Sequence, residues 1–309
     1  MEKKIILIVG LRRSGTTAIW QAFHSDKRIT CFNEPFNPQI MNISKPDFSG
    51  GEFYQEYTDY IQKDSVKFWD SYAPIDNIYE LKTGLSEQQK DYLKYLAGDH
   101  EHVLFEMTRG NYKLADLNDL FPGAILVHLY RPAASFVSSV MLPNYSKTKF
   151  SNGWEAIEGY RRIRSKLVKI IRKITFWSRK YSGNMWGFDS LIGSSVTDAF
   201  ASVLDLHQMN GDEFYRLPAV ARLLGYWKVS FEKAEEDGRR LFGDRFISLN
   251  FNDFSNNPAE NLKNIYAAAG IKYVNRELDW IHKPHGAYQA SHKKWVEYAD
   301  ILGLDRALL

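Results

Sequence analysis

Ile5-Ile6-Leu7-Ile8-Val9 is an uninterrupted apolar, mostly β-branched run that ends in Gly10. A strand of this composition is buried on both faces, which requires helices above and below a sheet. The segment that follows, Gly10-Leu11-Arg12-Arg13-Ser14-Gly15-Thr16-Thr17, is a glycine-bounded turn opening onto a helical stretch that runs to His24. Comparable strands are expected at 124–130, after Phe121-Pro122-Gly123, and at 246–251, after Gly243-Asp244. Shorter ones are expected at 103–107 and 28–32. Helical periods lie between them, as at Leu223, Leu224, Trp227 and Phe231. Asn257-Pro258-Ala259-Glu260 reads as a capped helix start and Gly270 as that helix's end. Buried strands alternating with helices predict an α/β fold, a single domain over residues 1–309 with a central, mainly parallel sheet flanked by helices. A mainly helical insertion is expected around 141–240.

Composition narrows the function classes. With 40 Lys+Arg against 37 Asp+Glu, the 309-residue chain lacks the overall basic charge of a nucleic-acid-coating protein. Its 15% aromatic content argues against disorder. Cys31 stands alone, so no intrachain disulfide forms, and a reducing compartment fits. No stretch of eighteen uncharged apolar residues is present to span a membrane, and Met1-Glu2-Lys3-Lys4 does not open a signal peptide. A cytoplasmic location is expected.

One segment departs from this balance. Residues 161–180 carry Arg161, Arg162, Arg164, Lys166, Lys169, Arg172, Lys173, Arg179 and Lys180 with no acid. Ile163, Leu167, Ile170, Ile174 and Trp177 form one stripe at helical spacing. A packed helix with a solvated basic back and a surface for an anionic acceptor or a membrane are both open for this segment.

The turn after the first strand suits an anion. Its Gly-x4-Gly spacing lets successive backbone N–H groups converge, the following helix adds its positive end, and Thr16 and Thr17 add hydroxyl donors. A nucleoside triphosphatase would place Lys at position 16. Here that residue is Thr16, and the cations are Arg12 and Arg13. Arg131, at the end of the strand from 124, is placed for a bidentate phosphate contact at the ligand-binding edge of such a sheet.

Arg13-Ser14-Gly15-Thr16-Thr17 resembles the 5′-phosphosulfate loop of sulfotransferases that use 3′-phosphoadenosine 5′-phosphosulfate, on a P-loop fold similar to nucleotide kinases. Phe121 through Arg131-Pro132, with Ser138 and Ser139 beyond, is similar to that family's 3′-phosphate motif. Phe251-Asn252-Asp253-Phe254 is similar to its later strand–loop–helix. The resemblance implies that Arg12, Arg13, Ser14, Gly15, Thr16, Thr17, Arg131 and either Ser138 or Ser139 bind the donor, and that Phe251 offers a ring near the adenine. It implies a transferase acting on a hydroxyl acceptor (carbohydrate, lipid, peptide or small alcohol) without a metal.

Sulfuryl transfer needs a base for the acceptor hydroxyl and a cation for the leaving group. Arg13 suits the second task. The stretch Phe105-Glu106-Met107-Thr108-Arg109 lacks the histidine that many cytosolic members use. Glu34, in a Glu34-Pro35 pair like that of carbohydrate- and tyrosine-modifying and some bacterial members, is the candidate base, with Glu106 in reserve; a turn cap or a pair with an arginine is the other role open to Glu34. Phe32 and Phe36 flank Glu34 and are expected to wall it with apolar surface. His100 and His102, two apart, could share a strand face toward a metal, though solvated histidines are the plainer account. Lys293 and Lys294 are expected in a C-terminal loop before Trp295; the resemblance would bring them over the donor, and a solvated Lys pair is the other account. A nucleotide or metabolite kinase and a non-enzymatic binder of anionic surfaces remain as alternatives.

Overall fold

The computed structural model describes residues 3–45, 48, 51–76, 80–141, 203–205, 207–217, 219–281 and 293–309. The basic segment 161–180 and most of the expected insertion lie outside the described residues. Along the chain come β1 (Lys4–Val9), α1 (Thr16–His24), β2 (Thr30–Asn33), α2 (Gln55–Lys63), α3 (Ser65–Ser71), α4 (Glu87–Ala97), β3 (His102–Met107), α5 (Leu114–Leu120) and β4 (Ile125–Tyr130). Then follow α6 (Ala133–Met141), α7 (Gly211–Arg216), α8 (Ala219–Phe242), β5 (Phe246–Asn250), α9 (Phe251–Asn256), α10 (Pro258–Ala268) and α11 (Lys293–Ile301).

The chain divides into two compact units, 1–130 with 230–283 and 131–229 with 284–309. The first unit holds one five-stranded sheet in the order β2-β3-β1-β4-β5, and every pairing in it is parallel. This is the α/β fold that the alternation of buried strands and helices predicts. Ile5, Leu7 and Val9 of β1 enter one hydrophobic cluster with Phe32, Phe105, Met107, Leu93 and Leu117. Ile6 and Ile8 enter another with Ile19, Trp20, Phe23, Leu262 and Ile265. The period-two alternation explains why β1 carries no polar residue after Lys4: each face meets a layer of helices.

Cys31, on edge strand β2, is fully buried in the second cluster. Its carbonyl accepts a hydrogen bond from Trp20 Nε1 at 3.1 Å, and burial pushes its thiol pKa well up. Nearby, Asp26 accepts hydrogen bonds from Arg28, Tyr266 and Arg276, and the Arg276 guanidinium lies over the Tyr266 ring.

Several boundaries differ from the sequence expectation. Strand β5 stops at Asn250, whose side chain accepts from Asn252 N at 2.9 Å and so starts α9. Phe251 therefore begins a helix instead of ending a strand. Strand β2 begins two residues later than the expected 28–32, because Asp26 ties Arg28 into the preceding turn. Asn257 occupies the N-cap of α10, but its side chain makes no capping bond there; Pro258 holds the first-turn position. Gly270, at φ 68°, closes that helix as expected. Lys293 and Lys294 open helix α11 instead of lying in a loop, and Lys294 pairs with Glu297 one turn on.

In the second unit, α6 carries Ser138 and Ser139, both buried. Ser138 Oγ donates to Ala134 O at 2.7 Å, one turn back. Trp227 Nε1 donates to Arg131 O at 2.9 Å. Among the described residues, no helix is long and apolar enough to cross a membrane.

Candidate functional site

Because all strands of the first unit are parallel, the segments leaving their C-terminal ends gather along one edge of the sheet. The chain passes from β1 through α1 to β2 on one side, and from β3 through α5 to β4 on the other. The loop after β1 therefore lies at the reversal of strand order, where open α/β sheets bind ligands.

In that loop Arg13 (φ 73°) and Gly15 (φ 97°) both adopt left-handed backbone, with Ser14 between them. Such alternation points successive N–H groups into one concavity. Thr16 and Thr17 follow as the first residues of α1, whose opening N–H groups have no carbonyl within the helix to bond. Arg13 and Thr17 are exposed, whereas Ser14 and Thr16 are buried. A Cβ at Gly15 would lie 2.2 Å from the Phe251 ring, so glycine is required both by its φ and by that ring. The residues present thus fit an anionic phosphosulfate: a left-handed nest, a helix start, two hydroxyls and an exposed guanidinium.

Arg12 is turned elsewhere. Its Nη2 donates to Glu80 Oε2, and Glu80 is 3% exposed. Burial raises the pKa of Glu80, against the attraction of Arg12 and Arg109. Lys113, also buried, has its pKa lowered to about 8 by desolvation.

Glu34 leaves β2 with left-handed backbone, φ 52°. Its N–H donates to Glu106 O at 2.7 Å, extending the β2–β3 ladder by one residue, and its carbonyl accepts from Asn37 N at 2.9 Å, closing a turn through Pro35. The turn is fastened from the α2–α3 region: Tyr57 OH donates to Asn33 O, Tyr72 OH to Asn37 O, and Ile75 N to Phe36 O. Phe32 and Phe36 are buried in the hydrophobic core. The carboxyl itself has polar partners. Thr108 Oγ1 donates to Glu34 Oε1, and Arg109 Nη1 donates to Glu34 Oε2 at 2.9 Å. A largely buried carboxylate needs such donors, and the two residues that follow β3 supply them.

Glu106 lies inside β3, opposite Ile8 of β1 and Asn33 of β2, and is 1% exposed. Its pKa is driven well up by burial and by the neighbouring charge of Glu34, while a hydrogen bond with the Thr16 side chain acts the other way. One carboxyl oxygen, Oε1, has no hydrogen-bond partner among the described residues.

The first unit thus brings together the loop 12–17 with Glu34, Glu106 and Phe251. Arg131 directly follows β4, and Ser138 and Ser139 sit in α6; these three belong to the second unit. Pairing with an arginine is the alternative the sequence leaves open for Glu34, and Arg109 is that arginine; Thr108 and Glu80 were missed. A position just past β3, beside the strand that delivers Glu34, was the available signal for Arg109; Glu80 had none. His100 lies before β3, not on it, because its ring bonds Thr30 Oγ1 through Nδ1 and Tyr60 OH through Nε2. His102 begins the strand. Among the described residues, no three or more His, Cys, Asp or Glu side chains gather as a metal site.

Solved structures similar to the chain include the sulfotransferase STF9 from Mycobacterium avium, at 14% identity and TM-score 0.46, covering 99% of this chain and 78% of that one. The sulfotransferase domain of the Synechococcus PCC 7002 olefin synthase is 13% identical, with TM-score 0.42 and coverage of 98% and 96%. A sulfotransferase from Alicyclobacillus acidocaldarius is also 13% identical, with TM-score 0.40 and coverage of 99% and 98%. No curated protein sequence matches the chain. The sequence profile of the sulfotransferase family matches residues 6–186, more than half of the chain, from within β1 through the left-handed loop, Glu34 and Arg109 past α6. With that match joined to the geometry of the loop and of Glu34, the chain belongs to the sulfotransferase family.

Proposed function

We propose that the chain transfers a sulfuryl group from 3′-phosphoadenosine 5′-phosphosulfate to a hydroxyl acceptor by in-line displacement. The observation that carries this is the left-handed loop with its exposed Arg13, in the same compact unit as Glu34. Arg13 and the N–H groups of the loop hold the 5′-phosphosulfate, with Thr16 and Thr17 adding hydroxyl donors. Arg131, with Ser138 or Ser139, binds the 3′-phosphate. Glu34 takes the proton of the acceptor hydroxyl, while Arg13 stabilises the charge that develops on the leaving phosphate. In this mechanism guanidinium groups provide the counter-charge, and no metal takes part. Thr16 in place of the phosphate-reaching lysine, together with the family membership, disfavours the kinase alternative, and the membership also disfavours a purely binding role. The acceptor is a carbohydrate, lipid, peptide or small alcohol, and the basic segment 161–180 suits an anionic acceptor or a membrane surface. A cytoplasmic location fits the single cysteine.

Adenosine 3′,5′-bisphosphate is expected to raise Tm without magnesium. Arg131→Ala is expected to weaken the bisphosphate while sparing adenosine 5′-monophosphate. Stabilisation by ATP with magnesium alone would return the kinase reading. Labelled donor offered with each acceptor class then identifies the acceptor.

A further inference from the structure

Both oxygens of the Glu34 carboxyl are held, and by groups of different kinds. Thr108 Oγ1 donates to Oε1, and Arg109 Nη1 donates to Oε2 at 2.9 Å. Two consecutive residues reach one carboxyl because β3 has already ended. Gly110 N donates to Met107 O at 3.3 Å, closing a turn around Thr108 and Arg109. Within a strand, successive side chains would point to opposite faces. Glycine at 110 lets that turn lie against β1, where an added Cβ would come 2.7 Å from Val9 Cγ1. The Glu34 backbone is fixed as well: its N–H donates to Glu106 O, and its carbonyl accepts from Asn37 N. Thr108 and Arg109 are buried, whereas the Glu34 side chain keeps 14% of its surface exposed.

The two partners differ in what they can do when a proton arrives. A guanidinium only donates, through hydrogens in a fixed plane. A proton on Oε2 would meet that donor and lose a charge-assisted bond. A threonine hydroxyl has one hydrogen and two lone pairs. It donates to Oε1 while the carboxyl is ionised, and its oxygen can accept from Oε1 once that atom is protonated. Oε1 is therefore the oxygen that can take a proton and keep its partner.

We propose that Thr108 is a positioning residue for the transfer: its hydroxyl aims Glu34 Oε1 at the acceptor hydroxyl, with Arg109 occupying Oε2, so that Oε1 receives the proton. As the acceptor oxygen bonds to sulfur, the bond from sulfur to the bridging phosphate oxygen breaks. The electron pair leaves on adenosine 3′,5′-bisphosphate, and the acceptor's proton stays on Oε1. This rests on Glu34 as the base and assigns that task to one of its two oxygens.

The test compares Thr108→Val, Thr108→Ala and Thr108→Ser, in wild-type and Glu34→Gln backgrounds. Release of bisphosphate from 3′-phosphoadenosine 5′-phosphosulfate is followed with the acceptor that labelled donor identifies, and with water alone. Val keeps the shape of threonine without the hydroxyl, and Ala carries the test if the Val variant does not fold. Either is expected to lower kcat about tenfold, with acceptor KM and bisphosphate affinity within about twofold of wild type. Thr108→Ser is expected to return kcat to within about twofold of wild type. In Glu34→Gln there is no base to aim, so Thr108→Val is expected to change kcat by less than about twofold. A purely structural loss would lower Tm and affinity together and persist in Glu34→Gln.

Wild-type kcat in the apolar variants, a Ser variant no faster than Val, or an equal loss in the Glu34→Gln background would each overturn the proposal. If Glu34→Gln itself turns over normally, the base reading falls and this role falls with it. If Glu34→Gln is slow while Thr108→Val and Thr108→Ala stay fast, the base stands and only the Thr108 role fails.

Discussion

Arg109 Nη1 donates to Glu34 Oε2 at 2.9 Å, joining the residues that leave two adjacent parallel strands. The pair has both a structural and a chemical consequence. It holds the Glu34 carboxyl in one orientation at the sheet's ligand edge, and it makes Glu34 an acceptor already fixed in place before any hydroxyl arrives.

Glu34→Gln removes the base and keeps the shape. Bisphosphate affinity is expected to hold while turnover falls by roughly 10²–10⁴. Arg109→Met strands the Glu34 charge and is expected to cost about 3 kcal/mol in denaturant unfolding. The Glu34→Gln/Arg109→Met double variant is expected to be more stable than Arg109→Met alone, because the uncompensated charge is gone. Additive losses would show that the pair is not coupled.

The two arginines of the loop are expected to separate. Arg12 is the partner of buried Glu80, so Arg12→Ala is expected to destabilise the fold by about 3 kcal/mol. Arg13 is exposed, so Arg13→Gln is expected to change stability by no more than about 0.5 kcal/mol. Its bisphosphate affinity, however, is expected to drop about tenfold or more, with turnover falling further. Calorimetry and thermal melts on both variants check this. The reverse pattern would assign donor binding to Arg12.

Gly15→Ala is expected to abolish measurable bisphosphate binding while the rest of the sheet still folds. A methyl group there meets the Phe251 ring and strains a left-handed backbone. Gly15→Ala with Phe251→Ala is expected to recover part of the binding by clearing the ring but not the φ. Titration of both variants is the measurement.

Asp26 contributes stability that acid removes. Burial works against its charge, but hydrogen bonds from Arg28 and Tyr266 outweigh that and hold its pKa far below the usual carboxylate range. A lowered folded pKa gives stability that is complete above the unfolded pKa and is lost as pH falls below it. Asp26→Asn is expected to cost about 1–3 kcal/mol at pH 7, and the gap to wild type is expected to shrink below about pH 4. Melts across that range decide it.

What could be read from the sequence was what neighbouring residues decide. The apolar run of β1, the glycine-bounded loop, the Glu34-Pro35 turn and the Gly270 stop are each set by residues within a few positions, and each is found. Arg109 with Glu34 and Arg12 with Glu80 join residues 75 and 68 positions apart, and only the parallel crossovers bring them together. Phe251 shows the same limit at a boundary. Its aromatic side chain suits a strand, but the amide-accepting side chain of Asn250 starts a helix there, and the ring lies against Gly15.

The burial of Cys31 gives the chain a built-in gauge of opening. The sequence contains one cysteine, and it sits sealed between the edge strand and Trp20. A thiol reagent added to the intact protein therefore has nothing to modify until β2 parts from β3 or α1 lifts away. The rate of labelling at low reagent concentration then counts those openings, residue-specifically and without any engineered probe. Since the same strand delivers Glu34, the thiol reports how often the proposed base is carried out of register.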